Sequence, residues 1–218
     1  MTPNLVTLTD AQSPRAEAYR SLRTNLDFYS LENPLHTLLI TSAEPDDDKT
    51  TVLANLGVIS AQGGKRVILV DADLRRPRLH EVFGLDNSRG LASALTGETA
   101  DLPIFDTEIP NLRVIPAGPT PKNPADLLAS ARMGAIIAQL KEQADVVLFD
   151  APPLIAVTDG ALLATKVDGV LLVARAGRTK REFVERAKDI LAKVNANLVG
   201  SVLTNAALDT GVYNYYGE

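Results

Sequence analysis

Short apolar runs alternate with helix-like segments along most of this chain, and this alternation constrains the fold more than any other feature. The apolar runs cover residues 38–40, 66–70, 112–115, 145–150, 169–174 and 198–203. Helices are predicted over residues 14–31, 52–62, 78–83, 91–96, 125–129, 133–143, 158–166 and 181–194. Strands that are buried on both faces are continuously apolar, as these runs are. The pattern therefore predicts an α/β fold, a doubly wound and mostly parallel sheet flanked by helices on both faces.

The composition is that of one sizeable domain. The chain has 218 residues, of which 45% are hydrophobic and 22% charged, enough for one core. It has no cysteine and two histidines, which excludes a disulfide framework and a zinc cluster. A net charge of −5 gives no footprint for nucleic acid. Because no signal peptide or bilayer-length apolar run is present, we expect a cytoplasmic protein without direct membrane insertion, reaching the membrane only through a partner or a missing segment.

A phosphate-binding loop is predicted after the first apolar run. Residues 41–51 read TSAEPDDDKTT, and a strand, a tight loop, Lys-Thr and a helix follow one another as in a P-loop. In that motif the lysine reaches the β- and γ-phosphates, and the next hydroxyl holds Mg²⁺. Lys49 and Thr50 match these two roles. Nucleotide contacts are expected from Ala43, Asp46, Asp47, Asp48, Lys49, Thr50 and Thr51.

Asp48 stands where the P-loop requires glycine, because the loop backbone must approach phosphate oxygens without a side chain in the way. A carboxylate about 4 Å from a phosphate charge costs roughly 1 kcal/mol in water and roughly 4 kcal/mol at an effective dielectric constant of 20. We therefore expect weakened nucleotide binding. The alternative is that the three consecutive aspartates merely cap a helix, where negative charge suits the helix dipole.

Three further carboxylates follow predicted strands. Asp71 and Asp73 lie just beyond the run at 66–70, at the edge where open α/β sheets bind ligands. Asp150 ends the run at 145–150 and precedes Ala-Pro-Pro, the Walker B arrangement, in which a carboxylate holds a Mg²⁺ water or orients a nucleophile. Turn-forming aspartates are the structural alternative at 71 and 73. The upstream Lys-Thr pair favours a nucleotide and magnesium site.

Both ends of the chain carry residues that suggest contacts with other subunits. The helix at 14–31 has an apolar face, formed by Ala18, Leu22, Leu26 and Tyr29, and a neighbouring face with Glu17, Arg20 and Arg23. Those three either form local ion pairs or meet a second subunit. Residues 1–13 are predicted to be an extended arm. The C-terminal tail, about 207–218, holds Tyr213, Tyr215 and Tyr216, which are either a sticky end or mobile phosphate acceptors.

These motifs together resemble the bacterial tyrosine kinases of capsule and exopolysaccharide synthesis, the P-loop BY-kinases that act with polysaccharide co-polymerases. The resemblance runs from about Leu5 to the tail. Residues 17–23, EAYRSLR, are similar to the family's E-x-x-R-x-x-R oligomerisation motif. Residues 67–75, VILVDADLR, resemble its Walker A′ motif, and residues 146–153, VVLFDAPP, resemble its Walker B motif. The tyrosine tail resembles its autophosphorylation cluster.

The resemblance implies a single P-loop kinase domain over residues 1–218, with the P-loop NTPase fold, that binds ATP or ADP and Mg²⁺. Lys49 would contact the phosphates, and Asp73 would accept the proton of the incoming tyrosine. Thr50, Asp71 and Asp150 would hold the metal. The family also implies a ring-shaped homo-oligomer that phosphorylates its tails in trans, and a membrane-bound co-polymerase or activator domain as partner. Residues expected at the subunit interface are Glu17, Arg20 and Arg23, and the expected acceptors are Tyr213, Tyr215 and Tyr216.

Two other functions remain open at this point. A partition- or division-type ATPase switch carries a signature lysine at the second P-loop position, which is Glu44 here. A catalytically weak scaffold that binds a membrane partner is favoured by Asp48 alone. The carboxylates at 71, 73 and 150 argue against a scaffold, because clustered like charges without a cation are costly, and they predict raised pKa values. Asp48 is compatible with reduced affinity, with an Asp48–Lys49 pair in a nucleotide-free loop, or with a deliberate replacement that disables the site.

Overall fold

One mostly parallel sheet of seven strands organises residues 3–99 and 101–207, the part of the chain that the computed structural model describes. Its strands are β1 (Thr37–Ser42), β2 (Val67–Asp71), β3 (Phe105–Asp106), β4 (Leu112–Ile115), β5 (Val146–Asp150), β6 (Gly169–Arg175) and β7 (Leu198–Thr204). They follow the order β3-β4-β2-β5-β1-β6-β7. Strand β3 pairs antiparallel with β4, and all other pairings are parallel. The predicted fold class is confirmed.

Helices cover both faces of the sheet, as predicted. They are α1 (Val6–Thr9), α2 (Pro14–Glu32), α3 (Lys49–Gln62), α4 (Leu79–Phe83), α5 (Leu91–Thr96), α6 (Pro124–Ala129), α7 (Ala131–Gln143), α8 (Asp159–Ala164) and α9 (Arg181–Lys193). One buried apolar cluster joins the sheet to α5–α9, and a second joins it to α1–α4. No helix among the described residues is both long enough and apolar enough to cross a bilayer.

The central strands place the site. Every residue of β1 and β2 is buried, which explains the uninterrupted apolar stretches at 38–40 and 67–70 within them. Strand β5 lies between them, and its last residue, Asp150, is in register with Ile40 of β1 and Asp71 of β2. Because parallel strands end at the same edge, the loops that follow β1, β2 and β5 meet at that edge.

The N-terminal segment is not the extended arm that the sequence suggested. Helix α1 occupies its middle, and Leu5 and Thr7 are buried. The backbone N–H and the hydroxyl of Thr7 both donate to Oδ1 of Asn55 in α3, at 3.2 and 2.9 Å. Packing against α3 therefore decides the conformation of a segment too short to form a stable helix alone.

Helix α2 matches the predicted segment 14–31, but its inward face differs from the predicted one, and Ala16 is fully buried. Its first turn is capped by the Ser13 hydroxyl, which accepts from the Ala16 N–H at 3.2 Å. Tyr19, rather than Ala18, packs against the core, together with Leu22 and Leu26. The prediction placed Ala18 on the buried face because its spacing fitted; the larger Tyr19 buries more apolar surface.

Gly90 provides a sharp test of the packing between α5 and the end of β4. A Cβ at Gly90 would lie 2.2 Å from the Pro116 carbonyl oxygen and 2.3 Å from the Gly118 nitrogen. Both atoms belong to the backbone, so Gly90→Ala should lower the free energy of unfolding by roughly 2 kcal/mol or more in urea titrations. Gly134→Ala is the matched control, since α7 leaves open space at that position. It should instead stabilise the helix by up to about 1 kcal/mol. Equal effects of the two substitutions would contradict this packing.

Candidate active site

The loop between β1 and α3 borders an open cleft at the carboxyl edge of the sheet. The cleft has a volume of about 450 Å³. Its lining residues come from the loop, from the segment after β2, and from β5 and β6: Pro45, Asp46, Asp47, Asp48, Lys49, Thr50, Thr51, Asp73, Arg76, Arg78, Glu81, Val82, Pro153 and Arg175. Ala43, Asp71 and Asp150 are fully buried beside it. The structure thus gathers the predicted catalytic, nucleotide and metal residues at one place.

Lys49 is the centre of this site. Its Nζ lies 3.0 Å from Oδ2 of Asp73 and 3.0 Å from Oδ1 of Asp150. The Thr50 hydroxyl donates to the other Asp150 oxygen at 2.5 Å. Burial alone would lower the pKa of Lys49, but the carboxylates of Asp150 and Asp73 offset burial and raise that pKa. The lysine therefore stays charged and holds two strand ends together.

Asp71 organises the loop that carries Asp73. Its carboxylate accepts backbone N–H groups of Asp73, at 3.2 Å, of Arg78, at 3.1 Å, and of Leu79, at 2.9 Å. Burial, followed by the charge of Asp150, raises the pKa of Asp71 to about 8. Burial also raises the pKa of Asp150, although Lys49 opposes this. The raised pKa values expected of a carboxylate cluster without a cation are confirmed for these two groups.

The oxygen atoms of Thr50 and Asp150 fit a magnesium ion, which prefers hard oxygen ligands and retains several waters. They already lie 2.5 Å apart in the site. Among the described residues, no three His, Cys, Asp or Glu side chains are placed to hold a metal by themselves. A metal here would therefore depend on the threonine hydroxyl and on the phosphates of a nucleotide as well as on carboxylates.

Each of the three consecutive aspartates in the loop is tied to the end of β6 or to the segment that follows it. Asp46 forms an ion pair with Arg178 at 3.1 Å, and Asp48 lies 3.6 Å from Arg175. Asp47 is buried and accepts from the Thr179 hydroxyl at 2.6 Å and from the Glu44 N–H at 3.1 Å. The Asp47 side chain is therefore a structural brace that joins the loop to Thr179.

Asp48 adopts the backbone conformation of a glycine. Its φ of 66° and ψ of 22° are left-handed, a region that aspartate tolerates at a cost of roughly 1 kcal/mol. Asp48 occupies the N-cap position of α3, but its side chain makes no capping hydrogen bond, so a cap formed by its carboxylate is excluded. The Asp48–Lys49 pair is also wrong, because Asp48 faces Arg175 while Lys49 faces Asp73 and Asp150.

Sequence reasoning missed three side chains that support the site. Asp159 is fully buried at the start of α8 and accepts two hydrogen bonds from Arg75, at 2.8 and 3.0 Å. Arg175 and Thr179 hold the loop aspartates. Arg175 follows the predicted strand at 169–174, so its position at the ligand edge could have been recognised. No local pattern marks Asp159, because its partner lies 84 residues away.

The residues expected at a subunit interface make contacts within this chain. Arg20 pairs with Glu17 at 2.8 Å and also donates to the Ala11 carbonyl, the local arrangement weighed above. Arg23 donates to the Ile59 carbonyl of α3 at 3.1 Å, and its Nε lies 3.9 Å from an Asp27 oxygen, too far for a hydrogen bond. The expected acceptors Tyr213, Tyr215 and Tyr216 lie outside the described residues.

Comparison with known proteins places the cleft in context. A family model described as the CobQ/CobB/MinD/ParA nucleotide binding domain matches residues 38–211. Tyrosine-protein kinase YwqD of Bacillus subtilis is 38% identical over 219 residues, covering 100% of this chain and 92% of that protein. Tyrosine-protein kinase Wzc of Salmonella typhimurium is 36% identical over 203 residues, covering 92% of this chain and 28% of the much longer relative.

Solved structures agree with these matches. The kinase domain of the Escherichia coli tyrosine kinase ETK superposes with a TM-score of 0.87 at 33% identity, covering 93% of this chain and 82% of that chain. MinD from Pyrococcus horikoshii, solved with Mg-ADP, superposes with a TM-score of 0.66 at 25% identity, covering 77% of this chain and 69% of that chain. A similar fold therefore occurs in a kinase domain and in a septum site-determining protein solved with Mg-ADP.

The raised pKa of Asp71 predicts a pH-dependent stability. Between the ordinary carboxyl pKa and about 8, the unfolded chain ionises this group while the native protein retains its proton. The free energy of unfolding should therefore fall as the pH rises through that window. We expect a loss of at least about 1 kcal/mol, the equivalent of roughly one pKa unit, between pH 5 and pH 8 in urea titrations with EDTA.

The matched variants for this measurement are Asp71→Asn and Asp189→Asn. Asp189 is exposed on α9, so its replacement should leave the slope of stability against pH unchanged, whereas Asp71→Asn should reduce it. The slope is compared, since Asp71→Asn also alters the hydrogen bonds of the loop. A slope that survives Asp71→Asn would show that another group causes it.

Proposed function

Because the chain belongs to the CobQ/CobB/MinD/ParA nucleotide-binding family and, within it, to the bacterial tyrosine kinases, we propose that it transfers the γ-phosphoryl group of ATP to tyrosines of its own C-terminal tail. The observation that carries the proposal is Lys49, held 3.0 Å from both Asp73 and Asp150 at the mouth of the loop. In the proposed setting, a homo-oligomer phosphorylates its tails in trans and regulates capsule or exopolysaccharide synthesis with a membrane-bound partner.

The proposed chemistry assigns one task to each residue. The tyrosine hydroxyl attacks the γ-phosphorus, the bond from that phosphorus to the bridging oxygen breaks, and ADP leaves. Asp73 accepts the hydroxyl proton, and Lys49 moves its charge from the carboxylates to the phosphates. Mg²⁺, held by Thr50, Asp150 and Asp71, would neutralise phosphate charge. Positioning and charge neutralisation supply most of the rate in such transfers, so the base contributes modestly.

The contacts of Asp48 favour a working site over a decayed scaffold. Its backbone retains the left-handed geometry of the glycine that the motif requires, and Arg175 faces its carboxylate at 3.6 Å. A loop that has lost its function has no need for either feature. The division-type switch is less well supported, since the second loop position is Glu44, whose N–H donates to the Asp47 brace.

Substitutions of Asp48 separate its charge from its bulk. Asp48→Asn removes the charge and keeps the size, and Asp48→Gly removes both. We expect Asp48→Gly to tighten Mg-ADP binding roughly tenfold or more in calorimetry, since a nearby carboxylate costs about 1–4 kcal/mol. If charge is the obstacle, Asp48→Asn should recover most of this gain. If the bulk of the side chain blocks the approach of a phosphate, only Asp48→Gly should tighten Mg-ADP binding.

Arg175 completes the test as a double-mutant cycle. Arg175→Gln should weaken nucleotide binding more in the present chain than in the Asp48→Gly background. In that background the Asp48 carboxylate, which the arginine neutralises, is already absent. Equal losses in both backgrounds would mean that Arg175 acts on the nucleotide directly. Equal affinities of the present chain, Asp48→Asn and Asp48→Gly would contradict the electrostatic argument.

Phosphorylation in trans predicts a specific result when two variants are mixed. One variant carries Asp73→Asn with an intact tail, and the other carries phenylalanine at Tyr213, Tyr215 and Tyr216. In an Asp48→Gly background, neither should incorporate phosphate well alone, and their mixture should label the Asp73→Asn tail, as read by mass spectrometry. The expected loss for Asp73→Asn alone is about 10²-fold, the lower end of what a general base contributes.

The matched control adds Lys49→Met to the variant that carries the three phenylalanines, the active partner in the mixture. This change should abolish labelling, because it removes the charge that contacts phosphate. Labelling of the Asp73→Asn tail in the absence of the second variant would contradict the proposed role of Asp73. An unlabelled Asp73→Asn tail in the mixture, under conditions in which the Asp48→Gly chain with Asp73 and its tail intact labels itself, would contradict transfer in trans. No labelling of that intact Asp48→Gly chain, with nucleotide binding intact, would contradict kinase activity itself.

A further inference from the structure

The arginines around the cleft divide into two groups. Arg75, Arg175 and Arg178 are paired with Asp159, Asp48 and Asp46, respectively. Arg76 and Arg78 line the cleft, are exposed, and have no carboxylate partner within the described part of the chain. Since guanidinium groups match carboxylate and phosphate oxygens geometrically, two uncommitted arginines in a cleft favour an anionic ligand.

The backbone that carries Arg76 and Arg78 is fixed by the proposed catalytic carboxylates. The N–H of Arg76 donates to Oδ1 of Asp73 at 3.0 Å, and the N–H of Arg78 donates to Oδ2 of Asp71 at 3.1 Å. The two side chains therefore begin from a loop whose position is set by the site itself. Glu81 lines the same wall, yet it forms no ion pair with either arginine, so both guanidinium groups remain available to a ligand.

Strand order places these arginines on the acceptor side of the cleft. The phosphate-binding loop follows β1. Arg175 is the last residue of β6, which neighbours β1 on one side. Asp73, Arg76 and Arg78 follow β2, which lies two strands away on the other side of β1, a distance of about 10 Å. The donor nucleotide would occupy the β1 side. The group that approaches Asp73 would therefore pass the two arginines.

We propose, resting on the kinase function above, that Arg76 and Arg78 bind anionic groups that flank the acceptor tyrosine in the tail of a second copy of this chain. The segment 208–218 contains Asp209 and Glu218 beside its three tyrosines. Once one tyrosine is phosphorylated, it carries a charge of about −2 next to the remaining acceptors. The arginine pair then retains the tail, so that each phosphorylation favours the next.

Peptide binding without turnover tests this assignment. Fluorescein-labelled peptides of residues 208–218 are prepared unmodified, phosphorylated at Tyr215, and with Asp209→Asn and Glu218→Gln together. Polarisation with the full chain and ADP should show the phosphorylated peptide binding roughly tenfold more tightly than the unmodified one, and the neutralised peptide binding most weakly. Arg76→Gln with Arg78→Gln should remove these differences, whereas Arg186→Gln, an exposed residue of α9, should not.

Two results would overturn the inference. The first is that the double variant binds each of the three peptides as tightly as the unchanged chain does. The second is a loss of ADP affinity in the double variant without a change in peptide affinity, which would assign the arginines to the nucleotide.

A kinetic measurement in the Asp48→Gly background provides a second readout. There, Arg76→Gln with Arg78→Gln should raise the KM for the peptide several-fold and leave kcat and the KM for ATP near their starting values. A loss confined to kcat would contradict a binding role. Absent phosphoryl transfer in every variant would reject the proposed function, and the polarisation result would still decide on the arginines.

Discussion

The ion pairs of Lys49 with Asp73 and Asp150 are the interaction on which the site depends. Asp71, Asp73 and Asp150 bring three carboxyl groups into a nearly dry place at the edge of the sheet. One lysine cannot neutralise all of them. Burial and the charge of Asp150 therefore raise the pKa of Asp71, whose oxygens accept three backbone N–H groups. Such an arrangement is stable without a ligand, and it favours one that brings positive charge.

The loop aspartates show how a site can retain its geometry after losing its usual residue. A left-handed backbone is easy for glycine and moderately costly for aspartate. The end of β6 and the segment after it compensate by holding all three neighbouring aspartates, through Arg175, Arg178 and Thr179. The ion pairs are partly exposed, so each contributes little to stability. Their more important effect is electrostatic, since the two arginines offset negative charge where a phosphate must approach.

The sheet is shared with proteins that do other chemistry, as the MinD likeness shows. Function on such a fold is determined by the side chains at the carboxyl edge rather than by the strands. In this chain the distinguishing groups are Asp73, the pair of Arg75 with the buried Asp159, and the two uncommitted arginines that follow. They all depend on the short segment after β2, which is held by backbone hydrogen bonds to Asp71 and Asp73.

The sequence by itself determined the α/β fold class, the positions of most strands and helices, and the loop residues and strand-end carboxylates that meet at the cleft. These follow from local signals, because apolar runs, helix periodicity and carboxylates at strand ends are properties of neighbouring residues. Only the tertiary structure decided the partners: Asp48 with Arg175, Arg75 with Asp159, and α1 packed on α3. Each of these contacts joins residues that are far apart in the chain, and their pairing depends on strand order, which no local pattern contains.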